Sequence, residues 1–230
     1  MITTTTLLNN QKEIYNLLMT KNKRAFISII VLVIIHAVGV IGFLTDYQGL
    51  FKQATFFHLL ITAGVLLYNH QEWNRNFIIF TVVAFIVGFV VEALGVATGL
   101  IFGNYQYGSP LGIKLFNVPV IIGVNWLMLV YLVGIMLNRL DSNIWLKSMI
   151  GGGLLVFLDV FIEPVAMHLD FWSWENQQVP LLNYLAWFVV GSFLVFTFNA
   201  LKFKKSNPVA VPLFIIYLSF FIAINVLVVM

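Results

Sequence analysis

Long apolar segments alternate with short polar ones along almost the whole chain. Seven apolar runs of about 20 residues follow a polar start, at residues 25–44, 51–68, 77–101, 118–137, 144–166, 181–201 and 209–229. Such a run is long enough to cross the hydrocarbon core of a bilayer as a helix. The runs are continuous rather than alternating, which excludes the strands of a membrane barrel. The pattern predicts an all-α, polytopic membrane bundle of about seven transmembrane helices.

The composition supports one membrane domain and excludes a soluble globule. Of the residues, 61% are hydrophobic and 9% are charged, whereas about 25% are charged in an average soluble domain. We expect a polar N-terminal segment, residues 1–24, followed by a single transmembrane helical domain, residues 25–230. The chain has no cysteine, so disulfides and thiolate chemistry are excluded. Its four histidines show no ligand spacing, so we expect no metal site.

Lysine and arginine are distributed unevenly between alternate loops. If the N-terminus is cytoplasmic, ten of these residues lie on the cytoplasmic side and two on the other. The ten are Lys12, Lys21, Lys23, Arg24, Arg75, Arg139, Lys147, Lys202, Lys204 and Lys205; the two are Lys52 and Lys114. This bias predicts a cytoplasmic N-terminus in the inner cell membrane. The net charge of +3 therefore reflects orientation in the lipid bilayer, and we expect no nucleic-acid partner.

Three acidic side chains interrupt the apolar runs. Asp159 and Glu163 lie four residues apart, on one face of the fifth predicted helix, and Glu92 lies late in the third. A charge inside a bilayer is costly, so acids there are functional candidates. The predicted topology places all three in the outer half of the membrane. Pro164 directly follows Glu163, and we expect a kink or helix end there that opens a polar pocket.

Glu92 shares its helix face with glycines at residues 88, 95, 99 and 103. Small residues at such spacing allow helices to approach closely in membranes. We therefore expect Glu92 to face packed protein, near the acid pair, rather than lipid. A purely structural role, in which all three acids only fix helix packing, remains an alternative.

Four motifs near these acids together resemble a known family. They are the E-x-x-G-x-x-T-G-x-x-F-G-x-Y-x-Y block from Glu92 to Tyr107, V-P-x-x-x-x-x-N-W from Val118 to Trp126, D-x-x-x-E-P-V-A from Asp159 to Ala166, and the W-x-W of Trp172 and Trp174. The chain resembles the integral-membrane carotenoid hydratases, including gamma-carotene 1′,2′-hydratases and bisanhydrobacterioruberin hydratases. These motifs cover the third to fifth predicted helices and their outer loops.

The resemblance implies an enzyme that adds water to a terminal, 1′,2′ double bond of an acyclic or monocyclic carotene. This reaction is redox-neutral and requires no cofactor. It needs a neutral carboxyl group to protonate the alkene, which an apolar environment favours, and a base to orient water. We expect Asp159 or Glu163 to be the donor and Glu92, or the partner acid, to orient water. Contact with other carotenoid enzymes is a further expectation.

Aromatic and polar side chains near the acids are candidates for binding a lycopene- or gamma-carotene-type substrate. Aromatic faces stabilise a carbocation, so we expect Tyr105, Tyr107, Trp172 and Trp174 to line the pocket mouth. Asn125, Trp126 and His58 complete the predicted substrate site. For the Trp and Tyr residues, anchoring at the membrane surface is the simplest alternative.

Three other functions remain open. A carotene cyclase would form the same cation and quench it with an internal double bond. A proton-coupled transporter would use the acids as a relay, although the chain shows no internal repeat. A non-catalytic membrane scaffold would use them only for packing. A product heavier by one water distinguishes hydratase from cyclase.

Overall fold

Seven α-helices form a bundle in the computed structural model, which describes residues 4–229 and the side chains of residues 23–229. The helices are α1 (Thr4–Phe43), α2 (Gln48–Tyr68), α3 (Arg75–Thr98), α4 (Ile121–Leu137), α5 (Ile144–His168), α6 (Leu181–Ala200) and α7 (Ala210–Ile224). A π-helical turn, Asn225–Val229, extends α7. The predicted all-α class is confirmed. Of the predicted polar segment, residues 1–3 lie outside the described residues, and α1 continues from Thr4 into the first apolar run without interruption.

Six helical segments are long and apolar enough to cross a membrane, the last of them α7 together with its π-helical turn (Ala210–Val229), so this is a multi-pass membrane protein. The helix α4 is shorter, with 17 residues, because the chain at Val118–Pro119 forms a short strand instead. It lies at the centre of the bundle, in contact with α2, α3, α5, α6 and α7. Most of its side chains are buried, so its ends do not need to reach the lipid surface.

The outside of the bundle is as apolar as its inside. Large hydrophobic side chains are exposed on the outer faces of the helices, among them Ile34, Ile41, Val82, Ile86, Val189, Phe193 and Ile215. In water such a surface would cause aggregation. In a bilayer it contacts lipid tails, which are equally apolar, at little cost in free energy. Lipid therefore surrounds the bundle, and the polar side chains that the interior contains must find partners within the protein.

Four short strands are found among the described residues, in the two long loops between helices. Strand β1 (Tyr105–Tyr107) pairs antiparallel with β4 (Trp172–Trp174), and β2 (Lys114–Leu115) pairs with β3 (Val118–Pro119). A 3-10 turn, Glu175–Gln177, follows β4. The β1–β4 pair joins the loop after α3 to the loop after α5. We call this end of the bundle the loop end.

Of the predicted kink or helix end at Pro164, the helix end is wrong, because α5 continues through the proline to His168. A proline removes one helix hydrogen bond but keeps a helix-compatible φ. In membrane bundles neighbouring side chains commonly satisfy the backbone near such a proline. Here Asn225 donates from its side-chain amide to the carbonyl oxygen of Phe161, at 2.8 Å, in the turn before Pro164. Glu163 therefore lies within α5, about one turn after Asp159.

The α5–α6 contact is the most extensive helix pair, and Gly152 makes it possible. A Cβ atom on Gly152 would lie 2.6 Å from the carbonyl oxygen of Phe188, a backbone atom that cannot move aside. A Cβ on the adjacent Gly153 would meet nothing within 4 Å. Close helix contact here sets the distance between Asp159 on α5 and Asn183 on α6.

We expect Gly152→Ala to lower the free energy of unfolding by about 1–3 kcal/mol, the usual cost of overpacking. The matched control is Gly153→Ala, which should be neutral or slightly stabilising because alanine favours helix. Unfolding in mixed detergent micelles, followed by circular dichroism, measures both. Equal stability of the two variants would contradict the role of Gly152.

Candidate functional site

The acid pair on α5 is buried and shares one amide. Asp159 and Glu163 have 0% and 2% of their surface exposed. Asn183, near the start of α6, donates from Nδ2 to Asp159 Oδ2 at 2.8 Å and to Glu163 Oε1 at 3.2 Å. The predicted common face of the two acids is therefore confirmed. The other oxygen of the aspartate, Oδ1, is buried without a partner among the described residues.

The second oxygen of Glu163 is held by the loop that follows α5. Trp172 and Trp174 donate from their indole nitrogens to Glu163 Oε2, at 2.9 and 2.7 Å. They are alternate residues of β4, so their side chains lie on one face of the strand. The W-x-W motif is therefore a pair of hydrogen-bond donors directed at one carboxyl group.

Glu92 has an equivalent set of donors. Tyr105 and Tyr107, alternate residues of β1, donate from their hydroxyls to Glu92 Oε2 at 2.6 and 2.8 Å. Trp126 on α4 donates to Glu92 Oε1 at 3.0 Å. The carboxyl group is 4% exposed, so Glu92 faces protein, as predicted from its glycines. All six donors to the three acids are neutral side chains.

The β1–β4 pair fixes the two donor sets relative to each other. Tyr105 lies opposite Trp174, and Tyr107 lies opposite Trp172. The pairing continues where the amide of Gly108 donates to the carbonyl oxygen of Phe171, at 2.9 Å. A side chain at 108 would collide with the backbone of Asp170. Two loops 60 or more residues apart in the chain are thus joined directly above the acids.

The tyrosines of β1 remain protonated donors. Burial, together with the nearby Glu92 carboxyl, raises the pKa of both Tyr105 and Tyr107 above the usual value for a phenol. Ionising either one would place a second negative charge beside the glutamate, without water to solvate it. Each hydroxyl therefore keeps its hydrogen and directs it at Glu92.

Glu92 and Glu163 both line a small cavity. Its volume is about 20 Å³, and its walls include Tyr105, Tyr107 and Trp172. A cavity needs about 10–15 Å³ to hold one water molecule, with two to four polar partners. This cavity has room for one water and offers two carboxyl groups as partners. Asp159 lies behind Glu163 and does not line it.

A larger, mostly apolar cavity of about 170 Å³ adjoins the small one. Ile122, Asn125 and Trp172 line both and form the boundary between them. The remaining walls come from α1, α2, α5, α7 and two loop residues, chiefly aromatic side chains such as Phe43, Phe51, Phe220 and Phe221. Since a cavity of about 150 Å³ accommodates benzene, this one accommodates the end group of a longer apolar ligand.

The structure brings most of the predicted site residues together. Asp159, Glu163 and Glu92 form its acidic centre, and Tyr105, Tyr107, Asn125, Trp126, Trp172 and Trp174 line the small cavity. His58 lies on the wall of the larger cavity, away from the acids. The alternative of surface anchoring does not describe the four aromatics of β1 and β4, whose polar groups are bonded to carboxyls.

Two contributors were not among the predicted site residues. Asn183 carries the only amide that bridges two of the acids in the described structure. Trp187 stacks on Trp126, with ring centroids 4.3 Å apart, and lines the small cavity. Both lie on α6, four residues apart on one face. Their spacing relative to the acids of α5 depends on how the helices pack, which no local pattern in the sequence reveals. Within residues 23–229 no cluster of three potential metal ligands is found.

The fold and site define a membrane-embedded helix bundle with a buried carboxyl centre beside an apolar cavity. Residues 53–230 match the family described as carotenoid biosynthesis protein. This is well over half of the chain, which therefore belongs to that family, and the carotenoid resemblance is confirmed. A bisanhydrobacterioruberin hydratase from Haloarcula japonica is 31% identical over 123 residues, which cover 47% of this chain and 40% of that protein. No solved structure matches.

Replacing Asn183 by leucine should destabilise the protein, because it leaves Asp159 without its donor. We expect a loss of about 1–3 kcal/mol in the free energy of unfolding. In a double-mutant cycle with Asp159→Leu, the two losses should not add, with a coupling of about 0.5–3 kcal/mol.

Asn199→Leu is the matched control on the same helix, since its amide donates only to Val195 within α6. Asn199→Leu should lower the free energy of unfolding much less than Asn183→Leu. Unfolding in mixed micelles measures the wild type and the four variants. Additive losses for Asn183 and Asp159 would contradict the shared hydrogen bond.

Proposed function

We propose that the protein is a carotenoid hydratase that adds water to a terminal, 1′,2′ double bond of an acyclic or monocyclic carotene. The observation that carries this proposal is that Glu92 and Glu163 both line a cavity with room for one water, beside an apolar cavity. Water, acid, base and alkene must meet for hydration. The named hydratase among the relatives supports the same reaction.

The acid pair is the proton source in this proposal. Asp159 and Glu163 share one amide, and Asp159 has an oxygen without a partner. Two adjacent carboxylates repel each other, so the pair is most stable when one of its two members carries a proton. Glu163 lines the small cavity and delivers this proton to the CH carbon of the terminal double bond. Asp159 holds the pair in its protonated form.

Protonation leaves a tertiary carbocation on the neighbouring carbon. Aromatic faces attract a cation by about 0.5–2 kcal/mol each, and Trp172 lies at the boundary where the cation forms. Glu92 accepts three hydrogen bonds from neutral donors, which stabilises its carboxylate form. This carboxylate orients the water, accepts a proton as the oxygen bonds to carbon, and returns it to the acid pair through the next water.

The same proposal includes how the substrate reaches the site, the orientation of the protein in the membrane and its partners. The long polyene of a lycopene- or gamma-carotene-type substrate remains in the lipid while its end group occupies the apolar cavity. The uneven distribution of lysine and arginine supports a cytoplasmic N-terminus in the inner cell membrane. Other carotenoid enzymes in the same bilayer are the expected partners. A cyclase would bind the same end group and differ only in what quenches the cation.

Expression in cells that make lycopene or gamma-carotene should yield a pigment heavier by one water, roughly 18 Da. Asp159→Asn, Glu163→Gln and Glu92→Gln should each lower conversion by about 10²–10⁴-fold, the usual contribution of an acid or base. Asp170→Asn is the matched control, because Asp170 is exposed, outside both cavities. Pigment mass analysis measures all variants.

A product of unchanged mass would indicate a cyclase. Full conversion by all three acid variants would exclude the acids as the catalytic groups.

Heavy water separates the roles of the two glutamates. In D2O the wild type should place one deuterium on the carbon next to the new alcohol. Glu92→Gln still protonates the alkene but lacks the base, so its cation reverts and the recovered carotene should carry deuterium. Glu163→Gln cannot protonate, and its recovered carotene should remain unlabelled.

The label is measured by mass spectrometry of substrate and product. Unlabelled carotene from both variants would show that Glu92 does not act after protonation.

A further inference from the structure

Two histidines form a hydrogen-bonded pair on the wall of the apolar cavity, apart from the carboxyl site. His36 on α1 has its Nδ1 atom 2.7 Å from the carbonyl oxygen of Leu32. A carbonyl oxygen only accepts, so this Nδ1 must carry a hydrogen. The other ring nitrogen of His36, Nε2, lies 3.2 Å from Nε2 of His58 on α2. One of these two atoms donates and the other accepts.

This geometry fixes the hydrogen positions of the pair. Among apolar walls the uncharged form is the stable one, because an unpaired buried charge is costly. A neutral imidazole carries a single hydrogen, and His36 has used its hydrogen toward Leu32. His58 must therefore donate from Nε2 to His36. Its remaining nitrogen, Nδ1, is left as a hydrogen-bond acceptor.

The acceptor on His58 has no partner among the described residues. It is also not among the fully buried polar atoms that lack a partner, so it is accessible to a ligand, and His58 lines the apolar cavity. Two other polar side chains on these walls are engaged, since Thr55 donates to the Phe51 carbonyl at 3.0 Å and Tyr217 contacts the sulfur of Met128 at 3.7 Å. Asn125 also lines the cavity, at its boundary with the small one. Because Nδ1 of His58 is an acceptor, a ligand group that binds it must supply a hydrogen.

We propose that His58 Nδ1 binds the hydroxyl of an isoprenoid alcohol, so that the apolar cavity, which also admits an unsubstituted end group, holds one that bears a hydroxyl more tightly. The inference rests on the proposed function only in that the ligand is an isoprenoid. An alcohol matches the site because it is an uncharged donor on an otherwise apolar chain. His36, which sets the acceptor, precedes the residues that match the family. The subsite thus depends on a residue outside the family match.

Binding without turnover tests this inference. The full chain in lipid nanodiscs is titrated with geraniol, a ten-carbon isoprenoid alcohol, and with its methyl ether, which lacks the hydrogen. Tryptophan fluorescence reports binding, because Trp172 lines the cavity. Each dissociation constant is divided by the partition of that ligand into empty nanodiscs, so membrane solubility cancels. The wild type should favour the alcohol by about 3- to 10-fold, the contribution of one hydrogen bond.

Substitutions test which residue causes the preference for the alcohol over the ether. His58→Phe should abolish it, and His36→Phe should reduce it, because the hydrogen on His58 is then free to occupy either nitrogen. His168→Phe is the matched control, since His168 is exposed and outside the cavity, and it should keep the preference. Loss of preference in Tyr217→Phe with retention in His58→Phe would overturn the assignment.

The wild type alone is decisive if a variant does not fold. Equal corrected binding of alcohol and ether overturns the histidine inference and leaves the proposed function standing. Failure of both ligands to bind overturns the isoprenoid cavity, and with it both proposals.

Discussion

Three carboxyl groups inside a lipid-surrounded bundle need hydrogen-bond donors from the protein itself, and this need organises the structure. Water is absent from the hydrocarbon region, so an unpaired acid there costs several kcal/mol. Six neutral side chains meet the need, and four of them come from β1 and β4. The acids are on helices and most of their donors are on loops. The two loops must therefore pair for the interior to be stable.

The same arrangement separates two chemical environments within a few side chains. On one side, the carboxyls and their donors surround a space of about 20 Å³; on the other, aromatic rings surround about 170 Å³. Ile122, Asn125 and Trp172 stand between them. A polar reagent and an apolar end group can thus be held side by side, each in a compartment matched to its solubility. The histidine pair adds one hydrogen-bond acceptor to the wall of the apolar cavity.

Much of this could be predicted from local sequence patterns, and the remainder depends on packing. The apolar runs give the helices, and the four-residue spacing gives the common face of Asp159 and Glu163. The interior position of Glu92 follows from Gly88 and Gly95 on its helix, whereas Gly99 and Gly103, which were predicted on the same face, lie beyond the end of α3. The continuation of α5 past Pro164 was not predicted, because a proline favours a helix end locally and the packing around it is not visible in the sequence. Asn183 and the direction of the aromatic donors were missed for the same reason: their partners lie on other elements.

In the proposed mechanism, the size of the small cavity decides between hydration and ring formation. If the space beside Glu163 admits a single nucleophile, then a bulkier residue at its wall would leave the cation to be captured by its own chain. The acids would be unchanged and the outcome would be a ring instead of an alcohol. On this view, a change of reaction type between related pigment enzymes requires only a change in volume, which one substitution in a lineage can supply.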